Sequence, residues 1–242
     1  MLTLHSQSLD WALQHALQIG DTDVFPIPFE YEAINHDWAN VKQFLSSSDV
    51  LQWTTRPART LLSPKAKYGF RAITQLDPLD FLVFSATVYE ISADLELRRI
   101  PTQSGTVFSY RVSANQDGQL FDPNVGYRQF IERCREKLAG NTQEGFVATA
   151  DISDFYSRIY HHRLENALRA ATQRTSHVNA VMRCLSGWNG TETFGIPVGC
   201  APSRLLAEIT LSDVDEALLA NGVDFLRLMD DSRFFAESEA AA

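Results

Sequence analysis

The sequence predicts an α+β fold, with helices packed on an antiparallel sheet, and three features of its second half carry that prediction. The first is the short apolar run Phe146-Val147-Ala148-Thr149-Ala150, which stops at Asp151 and suits a buried strand. The second is the helical spacing of Ile159, Leu164, Leu168 and Ala171, with a further long helical stretch over 203–219. The third is a pair of strand-like segments, 223–229 and 232–236, separated by Asp230-Asp231 as a tight hairpin.

Taken in order, 9–19 reads as a helix, followed by a segment broken around Pro26 and Pro28. A second helix over 34–45 ends at Ser46-Ser47-Ser48. Residues 70–74 and 89–91 carry no clear pattern, and 79–88 fits a buried helix or a buried strand equally. A helix over 134–138 stops at Gly140-Asn141. After the strand and the helix over 159–172, a short helix over 178–185 is closed by the turn Gly187-Trp188-Asn189-Gly190. The long helix is stopped by Asn221-Gly222.

With 45% hydrophobic and 21% charged residues, the 242-residue chain is neither disordered, collagen-like nor low-complexity. No apolar run approaches the roughly 18 residues of a membrane helix; the longest, 81–89, contains Ser85 and Thr87. No membrane contact is expected. The N-terminus lacks the basic cluster and apolar stretch of a secretory signal. Cys134, Cys184 and Cys200 form no CxxC pair, which fits reduced thiols and a cytoplasmic protein. The net charge of −9 argues against indiscriminate coating of nucleic acid. Its distribution is uneven: residues 1–50 hold seven acids and only Lys42, whereas 51–112 hold eight bases against five acids. A basic island inside an acidic protein fits a local anionic ligand.

Three constellations carry chemistry. In Asp151-Ile152-Ser153-Asp154-Phe155-Tyr156, an acid at a strand end can ligate a hard cation, or Ser153 or Asp154 can simply cap a helix. The adjacent carboxylates Asp230 and Asp231 repel unless a cation sits between them, although Asp is also a common solvated turn residue. In Gly195-Ile196-Pro197-Val198-Gly199, leading through Pro202-Ser203 into a helix, glycines allow close backbone approach and a helix start favours anions; a plain strand-to-helix loop reads the same way. Together, carboxylates from separate strands can hold two Mg²⁺ ions roughly 3.5–4 Å apart for phosphoryl transfer. His161 and His162 face different directions on a helix and are assigned no metal and no catalytic part.

In this order the three segments resemble the palm of a reverse transcriptase. Asp151 to Tyr156 resembles the family's first palm motif, Ile196-Pro197-Val198-Gly199 running on into Ser203 the second, and Leu228-Met229-Asp230-Asp231 the third. Lys65, Lys67 and Arg71 resemble the basic fingers that meet the incoming triphosphate. The segments Arg158 to Glu165 and Phe108-Ser109-Tyr110-Arg111 are most similar to bacterial abortive-infection and defence-associated members. Val198 stands where retroviral relatives carry Gln, and Leu228 where an aromatic is usual.

The resemblance implies a right-hand polymerase core of fingers and palm without a thumb: an N-terminal helical extension over 1–54, a fingers-like region over 55–145, and a truncated palm over 146–242. It implies metal ligation by Asp151, Asp230, Asp231 and the Ile152 carbonyl, with the three acids catalytic and Mg²⁺, or Mn²⁺ as a substitute, as cofactor. Lys65, Arg71, Asp154, Phe155, Tyr156, Pro197 and Gly199 would bind the nucleotide, with Tyr156 as the steric gate under the sugar. The implied activity is RNA-directed DNA synthesis from dNTPs on an RNA template with a DNA or protein primer, in antiphage defence. Untemplated, protein-primed synthesis and a catalytically degenerate binding module are the rival readings. The chain stops eleven residues after Asp231, so a fragment lacking the thumb is expected.

Overall fold

A computed structural model describes residues 1–66, 69–140 and 145–237. Lys67, Asn141 and the closing run 238–242 lie outside the described residues. The N-terminal part contains α1 (Ser6–Gln18), α2 (Glu30–His36) and α3 (Trp38–Ser47), followed by the antiparallel hairpin β1 (Arg59–Ala66) and β2 (Gly69–Gln75). Next come α4 (Pro78–Arg98) and α5 (Tyr127–Gly140). The last part runs β3 (Phe146–Asp151), α6 (Phe155–Arg158), α7 (His161–Ala171), α8 (Thr175–Asn189), α9 (Ala201–Thr210), α10 (Ser212–Ala220), β4 (Asp224–Leu228) and β5 (Asp231–Ala236). The α+β expectation holds, with the second sheet ordered β3-β5-β4 and antiparallel throughout.

The centre is α4. The Asp77 side chain accepts from the Leu79 N–H at 3.0 Å and Pro78 opens the first turn, so the helix starts where its free N–H groups are satisfied. Phe81, Leu82, Val83, Phe84, Ala86 and Val88 are all buried. A helix covered on every side has no apolar stripe, which is why spacing could not tell it from a strand. Around it α1, α7, α8 and α9 close one apolar core that also includes Leu2, Leu9 and Leu13 from the N-terminal end.

Several boundaries differ from expectation. The helix expected over 34–45 is two helices, broken at Asp37, whose φ of −113° and ψ of 34° leave the helical region. The stretch 159–172 is broken before His161, and 203–219 divides at Leu211. Residues 187–189 are not a turn: α8 continues to Asn189 and ends at Gly190, in a left-handed φ of +60°. Gly187 is there because a Cβ would collide with the Thr55 side chain. The expected buried strand over 146–150 is an edge strand instead, with Phe146 41% and Val147 37% exposed. Asp231 is not a turn residue; it is the first residue of β5, and Met229-Asp230 make the turn.

Candidate active site at the open end of the three-stranded sheet

Pairing register brings the acids together. Asp151, the last residue of β3, lies directly opposite Asp231 on β5, and Asp231 in turn faces Leu228 on β4. The chain leaving β3 is tied across the turn by the Ile152 N–H, which donates to the Asp230 carbonyl at 3.3 Å. Asp230 is half-buried while Asp151 is exposed. Burial pushes the Asp230 carboxyl above its ordinary range, the charges of Asp151 and Asp231 push it the same way, and the Arg71 guanidinium pulls against them.

The three acids are not equivalent. Arg233, two residues along β5, forms an ion pair with Asp231. Among the described residues, neither Asp151 nor Asp230 has an ion-pair partner, and no three His, Cys, Asp or Glu side chains close into a ready-made metal cage. That donor set still fits Mg²⁺, which is commonly bound through one or two carboxylates with substrate oxygens completing the shell. A half-buried carboxyl destabilised by its acidic neighbours is a position that a cation would relieve.

The β1–β2 hairpin lies beside the glycine loop. Lys65 sits at the irregularity in β1 between Pro64 and Ala66, and is exposed; Arg71 is exposed on β2, opposite Ser63. The hairpin is anchored to the glycine loop by two hydrogen bonds: the Thr74 N–H donates to the Val198 carbonyl at 2.9 Å, and the Val198 N–H to Thr74 Oγ1 at 3.2 Å. Gly199 has φ +112°, and a Cβ there would come within 3.2 Å of Ile73 Cγ2. Only glycine combines that left-handed backbone with so close an approach. Pro197 is buried, and so is the first turn of α9, Ala201 to Ser203, which leaves the half-exposed Val198 and Gly199 as the accessible part of this loop.

Asp154 is exposed, in a left-handed φ of +54°, 3.6 Å from Arg158, and caps no helix through its side chain. Phe155 is buried in the core; Tyr156 is half-buried and meets it edge-on at 5.7 Å between ring centres. Burial raises the Tyr156 hydroxyl, which stays neutral. His161 is structural: its Nε2 lies 2.8 Å from the Gly195 carbonyl and 3.1 Å from Asn189 Nδ2.

A buried ionic cluster behind the turn escaped the sequence reading. Arg227 donates to both Asp215 oxygens at 2.8 and 2.6 Å and to both Glu208 oxygens at 3.2 and 3.1 Å. Arg99 Nη2 donates to Glu208 Oε2 at 2.7 Å. Burial would raise Glu208, yet Arg227 and Arg99 outweigh it and hold the carboxylate ionised. The available signal was a lone charge inside an apolar run, in Phe225-Leu226-Arg227-Leu228 and in Leu205-Leu206-Ala207-Glu208-Ile209. Tyr110 and Arg204 are further neighbours, the guanidinium 5.3 Å from the ring centre.

A family model described as "Reverse transcriptase (RNA-dependent DNA polymerase)" matches residues 87–242. No curated protein matches the chain in sequence. Among solved structures, a telomerase from Candida albicans in complex with a fragment of telomeric RNA is similar, at 14% identity and a TM-score of 0.50, over 89% of this chain and 43% of that one. An apo telomerase from Candida tropicalis, truncated from its C-terminal domain, is similar at 14% identity and a TM-score of 0.50, over 87% of this chain and 50% of that one. The chain thus spans half or less of the length of either structure.

Proposed function

Since this chain belongs to the reverse transcriptase family, we propose that it is the core of an RNA-directed DNA polymerase, adding dNTPs to the 3′-hydroxyl of a primer. The observation that carries the reading is the strand register that sets Asp151 opposite Asp231 and ties the chain leaving β3 to the Asp230 carbonyl, gathering three acids at one sheet end. The division into an extension (1–54), fingers (55–145) and palm (146–242) belongs to the same proposal.

In this reading Asp151, Asp230 and the Ile152 carbonyl hold Mg²⁺, for which Mn²⁺ can substitute, and Asp231 stands beside them. Two such ions would supply charge stabilisation at the attacking and leaving oxygens. The chain's own part is positioning and charge. Lys65 and Arg71 offset the charge of the triphosphate. Gly199 lets the backbone approach the nucleotide. Tyr156, held edge-on by Phe155, forms a wall beneath the sugar that rejects a 2′-hydroxyl. The RNA bound in the Candida albicans telomerase structure supports an RNA template. The likeness of Arg158 to Glu165 to defence-associated members supports an antiphage role. Three free cysteines support a reducing, cytoplasmic setting.

The test is incorporation of labelled dNTPs with Mg²⁺, with and without a primed RNA, by the wild type and by Asp230→Ala. The expected product copies the template and is lost in the variant. Product that ignores the template, and is lost in the variant, replaces this reading with untemplated synthesis. Product unchanged in Asp230→Ala refutes the site.

A further inference from the structure

Met229, the residue before Asp230, adopts φ +57°. A left-handed backbone is unfavourable for a long side chain and persists only where its surroundings over-determine it. Here both backbone polar groups of Met229 are taken by side chains of the buried cluster. Its N–H donates to Ser109 Oγ at 2.9 Å, and its carbonyl accepts from Arg227 Nη1 at 2.8 Å. Ser109 is buried and is itself gripped: its carbonyl accepts from Arg99 Nη2 at 2.6 Å. The segment carrying it runs parallel beside β4, with the Arg227 N–H donating to the Thr106 carbonyl at 2.9 Å and the Phe108 N–H to the Arg227 carbonyl at 3.0 Å.

The direction of these bonds matters. A serine hydroxyl has one proton, and Ser109 gives it to Glu208 Oε1 at 2.6 Å. An ionised carboxylate can only accept, so the hydroxyl proton is fixed there and a lone pair is left facing the Met229 N–H. The ion pairs of Glu208 with Arg99 and Arg227 therefore determine which way the Ser109 hydroxyl points, and through it the shape of the turn.

We infer that Ser109 is a positioning residue for the catalytic turn: it sets the left-handed Met229 that aims the Asp230 carboxylate at the metal. This rests on the functional reading above, since it concerns a ligand of that same site. Neighbours that orient metal ligands typically change metal affinity about 10–100-fold when removed.

The experiment is a Mn²⁺ titration of the full chain followed by electron paramagnetic resonance, on the wild type, Ser109→Ala, Ser109→Thr and Asp230→Ala. Wild type is expected to bind Mn²⁺ and Asp230→Ala is not, a contrast that would establish that the titration reads this site. Ser109→Ala is expected to weaken binding about tenfold or more, while Ser109→Thr, which keeps the hydroxyl, stays near wild type. Wild-type affinity in Ser109→Ala overturns the positioning role and leaves the functional reading standing. No Mn²⁺ binding by the wild type overturns both. Should Ser109→Ala fail to fold, hydrogen exchange of wild-type Met229 decides: its amide is expected to exchange on the order of a hundredfold more slowly than an open one, and free exchange overturns the inference.

Discussion

The helical core around α4 and the three-stranded sheet are stabilised in different ways. Phe81, Phe84, Leu82 and Val88 on α4 are completely buried among apolar side chains, whereas β3 shows solvent almost its whole length. β4 is covered instead: Phe225, Leu226 and Leu228 are buried in apolar clusters with Ile100, Val107, Phe108 and Phe130, and Arg227, buried with Glu208 and Asp215, ties the strand to α9 and α10. The largest apolar cluster lies among the helices, while the sheet presents its acidic end, Asp151, Asp230 and Asp231, toward solvent.

Four substitutions sharpen that contrast. The largest loss is expected from Arg227→Ala, which leaves the Glu208 and Asp215 carboxylates buried without their cation. Breaking such a pair from one side costs about 3–5 kcal/mol, read as a shift in the urea midpoint; a loss under about 1 kcal/mol would show that the cluster does not hold the sheet. In the helical region, Phe84→Ala should cost a similar ~3–5 kcal/mol through the cavity it opens.

Next comes a pH effect confined to the helices. Glu90 on α4 accepts from the Ser8 hydroxyl and, at 2.8 Å, from the His5 N–H, and lies 2.7 Å from His177 Nε2 on α8. Burial would raise this carboxyl, but those partners win and bring it down to about 2 from 4.5. A depressed carboxyl stabilises the fold above its unfolded value and loses that contribution as pH falls, so the window runs from about 4.5 down to about 2. The full effect is at most about 3 kcal/mol. Glu90→Gln should flatten acid unfolding across that window, and an unchanged profile would remove Glu90 from the account. The smallest effect is expected from Phe146→Ala on β3, within about 0.5 kcal/mol of wild type, as for exposed positions generally.

The same contrast explains what the sequence made legible. The α+β class, the strand ending at Asp151 and the paired acids at the far hairpin followed from local pattern, because turn chemistry and strand ends are set by neighbouring residues. Register was not legible: that Asp151 would face Asp231 depends on pairing across 80 residues of chain. The exposure of β3 was missed because an apolar run reads as buried whether or not anything covers it. The breaks at Asp37 and Leu211 were missed because apolar spacing continues through them while the backbone does not. Ser109 was missed as a partner of Glu208 and Met229 because its contacts join segments about 100 residues apart.

The most direct test of the metal site proposed at the sheet end is the melting of the wild type and Asp230→Asn in EDTA and in Mn²⁺. Because Asp230 is held above its ordinary carboxyl range, its ionised form is unfavourable in the metal-free fold, and the neutral Asn variant should melt at or above the wild type in EDTA. At Mn²⁺ ten times its Kd the wild type should gain about 1.4 kcal/mol, which for a chain of this size is about 3–6 °C, while Asp230→Asn gains nothing. Equal shifts in the two proteins, or none in either, would contradict a metal site at this turn.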